Sequence, residues 1–185
     1  MDSYEGMLAP IKADPRYLAN ISWGKPRDGH PEGTIGAHIA ELESNLDKLR
    51  SKLSPLQIDV LSVLIHVHDT LKPDSQPGVA ICAPDSHASL AAAFLSELCE
   101  DQDVLNMVRL HDEPFALWRQ FKQRGAANPQ RLDRLIATIR DWDTFWAFLL
   151  IDNLTAGKSG EPLRWFWQVT QGRIAHRLRI EDVTG

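Results

Sequence analysis

Residues 54–73 read SPLQIDVLSVLIHVHDTLKP. The opening Ser54-Pro55-Leu56-Gln57 predicts a helix start, with Ser54 as N-cap, Pro55 at the first helical position and Gln57 completing a capping box. Pro73 ends the helix near Leu71, because proline has no amide to donate and disfavours helical geometry in the residue before it. Leu61, Leu64, Ile65 and His68 fall at i, i+3, i+4 and i+7, on one stripe. An imidazole thus stands where a core residue is expected. Asp69 lies one step round, about 100° away. His66 shares a more polar face with Asp59, Ser62 and Val63 and reads as a supporting or surface group. Burying an unpartnered carboxylate or imidazole is costly, so this helix end raises the question of what the two residues meet.

The same pattern recurs on other predicted helices. From Thr34 to about Leu53, Ile35, His38, Leu42, Leu46 and Leu49 share a face that carries His38. A helix begun by Asp85 and running to about Cys99 puts His87 in line with Leu90, Ala91, Phe94 and Leu98. Roughly Asp103 to His111, the stripe Val104, Met107, Val108 ends in His111. After a helix from Pro114 through Lys122, Asn128-Pro129 starts a longer helical region, broken near Asp141 and ended by Gly157, in which Phe145, Phe148 and Leu149 lead to Asp152. A last helix covers roughly Pro162 to Gln171. No arginine or lysine occupies these stripes to pair with the two aspartates. Histidines and carboxylates converging in a helical core are the donor set of a metal site in a bundle.

Hydrophobic residues make up 43% of the 185-residue chain and charged residues 24%, which suits one globular domain. The predicted fold is all-α, about seven helices joined by short connections. Residues 1–33, with KPRDGHPEG, read as an irregular N-terminal arm, 34–175 as the helical domain and 176–185 as a tail whose IAHRLRI fits a strand or a helix extension equally. The net charge of -5 argues against a duplex nucleic-acid surface. Cys82 and Cys99 form no CxxC motif, the first ten residues contain no apolar run, and FWAFLLI is too short to span a bilayer. A cytoplasmic protein with no membrane segment is expected. Trp142, Trp146, Trp165 and Trp167 read as core aromatics, and His176 as a surface residue.

The order His38, His68-Asp69, His87, His111, Asp152 resembles the HD-domain superfamily of metal-dependent phosphohydrolases. HPEGTIGAH (30–38) is similar to the segment holding the first metal histidine in several members, and HDTLK (68–72) to their HDxxK stretch. The resemblance covers about residues 30–155. It implies an HD-type bundle in which His38, His68, Asp69 and Asp152 hold a first divalent ion and His87 and His111 help to hold a second, with Asp69 between them. The histidine-rich set favours Mn, Fe, Ni, Co or Zn over Mg. Asp69 and Lys72 are the implied catalytic residues, and Lys72 matches a lysine that contacts substrate phosphate in some members. Lys72 also fits a lysine complementing a helix C-terminus. His30, Glu32 and Glu113 are candidates for the mouth of the site, Glu113 equally for a helix cap, and loop 73–84 for a gate over it. The implied function is hydrolysis of a small phosphorylated metabolite, with a nucleotide favoured. The (p)ppGpp-hydrolysing branch usually lacks the two intervening histidines, and the Gly-Tyr-Pro motif of the cyclic-di-GMP branch is absent. The alternatives are an HD-type di-iron oxygenase and a non-catalytic metal- or nucleotide-binding module. Nothing in the sequence speaks to oligomeric state.

Overall fold

The computed structural model describes residues 4–184, and it is all-helical. Eleven α-helices are found among these residues: α1 (Tyr4–Ala13), α2 (Pro15–Asn20), α3 (Ile35–Leu49), α4 (Pro55–Val67), α5 (His87–Ser96), α6 (Gln102–Leu110), α7 (Glu113–Arg124), α8 (Pro129–Thr138), α9 (Trp142–Asn153), α10 (Glu161–Thr170) and the single turn α11 (Glu181–Thr184). A short 3-10 turn, Arg50–Lys52, follows α3. The expected long helical region is two helices, since Ile139 leaves helical geometry and Asp141 starts α9 as its N-cap.

Two helices form the centre. In α4 Leu61, Val63, Leu64, Ile65 and Val67 are all fully buried, and in α9 so is every residue from Phe145 to Ile151. A helix that is apolar all round needs neighbours on every side. For α4 these are α1, α3, α5, α6 and α9. The predicted capping box at Ser54 and Gln57 is present in both directions. Phe145, Trp146 and Phe148 are completely buried, and each contributes on the order of 1.5–3 kcal/mol by leaving water.

The N-terminal arm is not irregular. It holds α1 and α2; residues 1–3 lie outside the described residues. Pro10 sits inside α1, a cost of about 3 kcal/mol by local propensity, which is why the local pattern argues against a helix there. Tertiary burial overrides it, because Met7 and Ile11, one turn apart, join the core and α1 packs along α4. Arg16 then joins Asp14, the N-cap of α2, to Glu97 at the end of α5.

Residues 21–34 fold back on themselves through two isolated bridges, Gly24 with Thr34 and Arg27 with His30. Gly24 has φ +117°, and a Cβ there would meet the carbonyl oxygen of Gly33 at 2.3 Å. Gly157, φ +78°, lets the turn after α9 approach Pro31, whose Cδ lies 2.7 Å from where a Cβ would be. These two close approaches seat the GHPEG stretch against the first turn of α3 and the end of α9. The tail from Ala175 to Arg179 is neither strand nor helix. It is held by Trp146 Nε1 donating to the Leu178 carbonyl at 3.0 Å. Gly185 lies outside the described residues.

Candidate metal centre

Helix ends bring the polar residues together. His68 is the C-cap of α4 and His111 that of α6. The last carbonyls of a helix lack amide partners; Ile65 and Val108 offer such carbonyls, while that of Leu64 also accepts the His68 amide at 3.0 Å. His68 Nδ1–H donates to the carbonyls of Leu64 and Ile65 at 3.1 and 3.2 Å, and His111 Nδ1–H to that of Val108 at 2.7 Å. Carbonyls only accept, so Nδ1 must carry the proton, and Nε2 of each ring faces inward. His87 opens α5, His38 lies in the first turn of α3, and Asp152 lies near the end of α9.

The inward atoms form two adjoining sets at the helix ends, and a third, His30, Glu32 and His38, lies at the mouth. His38, His68 and Asp152 make the first, and Asp69, His87 and His111 the second, the atoms of each set lying within 4.8 Å of one another. In the first, His38 Nε2 is 3.0 Å from Asp152 Oδ1, and His68 Nε2 is 3.9 Å from it. In the second, His87 and His111 Nε2 are 3.3 Å apart, and each is 3.6 Å from Asp69 Oδ1. Asp69 serves both, because its Oδ2 lies 3.5 Å from His68 Nε2 and 3.9 Å from His38 Nε2. Donors about 2.1 Å from one tetrahedral ion lie about 3.4 Å from each other, so both sets have the spacing of ligands around an ion.

Buried orphan atoms test the fit independently. His68 Nε2 and Asp69 Oδ1 are buried and have no hydrogen-bond partner. Such atoms are rare and costly, and both point to where an ion would draw on them. Charge gives the same answer. Four carboxylates meet here, Glu32, Asp69, Asp112 and Asp152, against two ammonium groups, Lys72 on Asp69 and Lys158 on Asp152. Two negative charges are left over, and imidazolium or a cation must meet them. Burial pushes His68 down to about 3 despite Asp69, which keeps its Nε2 lone pair free. Burial would also lower His111, but Asp112 and Asp69 outweigh it and carry that ring up to about 9. Burial works to raise Asp69 and Asp152, yet Lys72 beside one and Lys158 beside the other hold both well below the usual carboxylate range. The residues present therefore fit a divalent ion in the first set, and in the second an ion that would take the place of the Nε2 proton of His111.

The aspartates do have lysine partners, which come from the segments after the helices rather than from the stripes. Lys158 lies 2.8 Å from Asp152 Oδ1, six residues on in sequence. Glu113 is not at the mouth of the site. It is buried in the first turn of α7 and paired with Arg131, whose Nη2 lies 2.6 Å from Oε2. The acid that does reach the second set is its neighbour Asp112, 3.2 Å from His87 Nε2. His66 is not a surface group. It is buried away from both sets, between the Tyr17 hydroxyl at 2.8 Å and Glu43 at 3.0 Å. Ser86, not Asp85, caps α5. Of the four tryptophans expected in the core, Trp142 and Trp146 are buried there, Trp165 is half-buried, and Trp167 is 40% exposed. His176 stacks on Trp146 with ring centroids 4.5 Å apart.

Trp23, Arg27, His30, Glu32 and Lys72 surround the depression that leads to His38 and Asp69, a cavity of about 20 Å³. This is water-sized space. The mouth is thus shaped by segment 21–34, with loop 73–84 contributing none of the lining. No family model, curated protein or solved structure matches the chain. Its chemistry therefore rests on these residues themselves. Among the described residues no helix is long and apolar enough to cross a membrane.

Proposed function

We propose that the chain is an HD-type metal-dependent phosphohydrolase acting on a small phosphorylated metabolite, with nucleotides the favoured class. The observation that carries this reading is Asp69, whose two carboxylate oxygens face two different histidine sets. His38, His68, Asp69 and Asp152 would hold a first divalent transition ion, and Asp69, His87 and His111 a second. Bound there, such ions supply an acidified water and neutralise charge on a phosphoryl group.

The chain's own residues prepare the rest. Burial of His68 and His111 excludes solvent from the inner wall and strengthens every charge interaction there. Lys72 and Arg27 supply the positive charge of the mouth, suited to phosphate oxygens, and burial holds His30 beside them below the ordinary imidazole range, as a neutral donor. Lys72 Nζ rests on Asp69 Oδ2, so it can turn to a phosphate oxygen when the Asp69 charge is met from the other side. Trp23, 46% exposed at the same rim, offers a face for a nucleobase.

The test is elemental analysis of protein purified without added metal, then a screen of nucleotides and other phosphoesters with Mn, Fe, Co, Ni and Zn. About one to two transition-metal ions per chain and turnover of a phosphoester are expected. No metal, and no stabilisation when Mn, Fe or Ni is added, overturns the reading. Metal without hydrolysis but with dioxygen uptake would make the protein an oxygenase.

A further inference from the structure

His38 stands apart from the other two fully buried imidazoles of the ligand sets, His68 and His111. Those two orient their Nδ1 on carbonyls of their own helix ends that no backbone amide takes, those of Ile65 and Val108. His38 has no such option, because it lies in the first turn of α3, where the Thr34 carbonyl already accepts the His38 amide at 2.9 Å. Its ring needs an acceptor from outside the helix. The group facing Nδ1 is Glu32, with Oε1 at 3.2 Å. The Glu32 side chain is 4% exposed, its Oε2 has no partner, and its Oε1 also accepts the Nδ1–H of His30 at 2.8 Å. A buried carboxylate left half-satisfied is costly, and nothing in the fold of the helices requires one here.

The proton on His38 explains the arrangement. Its Nε2 is bonded to Asp152 Oδ1 at 3.0 Å, and an ionised carboxylate only accepts, so this bond places the proton on Nε2. Nδ1 is then bare and faces a carboxylate, and it has no hydrogen-bond partner. Moving the proton to Nδ1 turns that opposition into a charge-assisted bond to Glu32 and frees the Nε2 lone pair for a cation beside Asp152.

We propose that Glu32 is a positioning residue that holds His38 in its Nδ1–H form with Nε2 directed at the first ion position, and that the same oxygen aligns the His30 ring at the mouth. This inference rests on the metal reading of the site. It extends to Glu32 the general rule that a ligating histidine gives its other N–H to a carboxylate or carbonyl.

The experiment uses the whole chain and Zn as the probe. Zn affinity is measured by calorimetry for the wild type, Glu32→Ala, Glu32→Gln and Glu43→Ala, and the proton spectrum of each Zn-loaded protein is recorded for low-field imidazole N–H signals. Glu43 also binds a buried histidine, His66, but away from both sets, so it controls for the loss of a carboxylate as such. Glu32→Ala is expected to weaken the tighter Zn site about 10–100-fold and to remove a low-field signal. Glu32→Gln should keep the shape and part of the affinity, and Glu43→Ala should bind as the wild type does. Unchanged affinity and an unchanged spectrum in both Glu32 variants overturn the inference, as does an equal loss in Glu43→Ala. A wild type that binds no Zn overturns the metal reading itself, and this inference with it. A wild type that binds Zn as tightly as Glu32→Ala overturns the inference alone.

Discussion

At the scale of single residues, position relative to the ends of helices decides what each imidazole does. His66 and His68 are two residues apart and both buried, yet they face different partners. His68 turns Nε2 to Asp69 and Asp152, whereas His66 spans Tyr17 and Glu43. The two positions should therefore separate in mutagenesis. His66→Ala removes one buried and one half-buried hydrogen bond and leaves a cavity, and should destabilise the fold by about 2–3 kcal/mol in denaturant titration with metal content unchanged. Asp69→Asn keeps the volume but removes the shared ligand. It should lower metal affinity by more than the roughly 10–100-fold expected for loss of an outer partner, and abolish hydrolysis in a protein that remains helical by circular dichroism. Equal effects of the two changes on metal content would show that both faces of α4 serve the site.

At the scale of helices, the two donor sets that could hold an ion belong to different parts of the bundle. The first is built from α3, the end of α4 and the end of α9; the second comes from the start of α5 and the end of α6, and Asp69 joins them. Helices α5 and α6 pack on each other, and this packing sets His87 and His111 side by side, their Nε2 atoms 3.3 Å apart. The double change His87→Ala with His111→Ala should leave about one metal ion per chain and a folded protein, and remove most hydrolysis, because the phosphoryl group would be held from one side only. Elemental analysis beside the activity assay checks this. Full metal content would show that the pair are not ligands. Full activity with one ion would assign them to the substrate instead.

At the scale of the molecule, the site is a junction: it ties helix ends distant in sequence to segment 21–34 and to the turn that carries Lys158. An ion that binds only the folded arrangement should therefore stabilise the whole chain. With free metal at 100 times its dissociation constant the gain is about 2.7 kcal/mol, or about 5–10 °C in midpoint for a chain of this size. Differential scanning calorimetry with and without chelator measures it. A midpoint that ignores both metal and chelator would mean that the lysines and protonated histidines already satisfy the carboxylates.

Periodicity and capping determined the helices from Thr34 to Thr170, with the inward placement of His38, His68, Asp69, His111 and Asp152, because 3.6-residue stripes and Ser/Pro/Gln starts are local signals. Local signals also account for the misreadings. Pro10 argued against α1, whose stability comes from burying Met7 and Ile11 on α4, a contact between segments about fifty residues apart. Glu113 and Asp112 are adjacent, and only the packing of α7 against α8 decides that Arg131 takes the first while the second meets His87. Lys158 and Glu32 lie on turns without periodicity, so their partners, Asp152 and His38, could be found only where two close backbone approaches, at Gly157 and Gly24, bring the turns in. Sequence thus determined which stripe of side chains points inward on most helices, His66 and Trp167 excepted, since that depends on neighbours within one helix. Tertiary structure alone decided which of them meet, since that depends on how helix ends from across the chain are packed together.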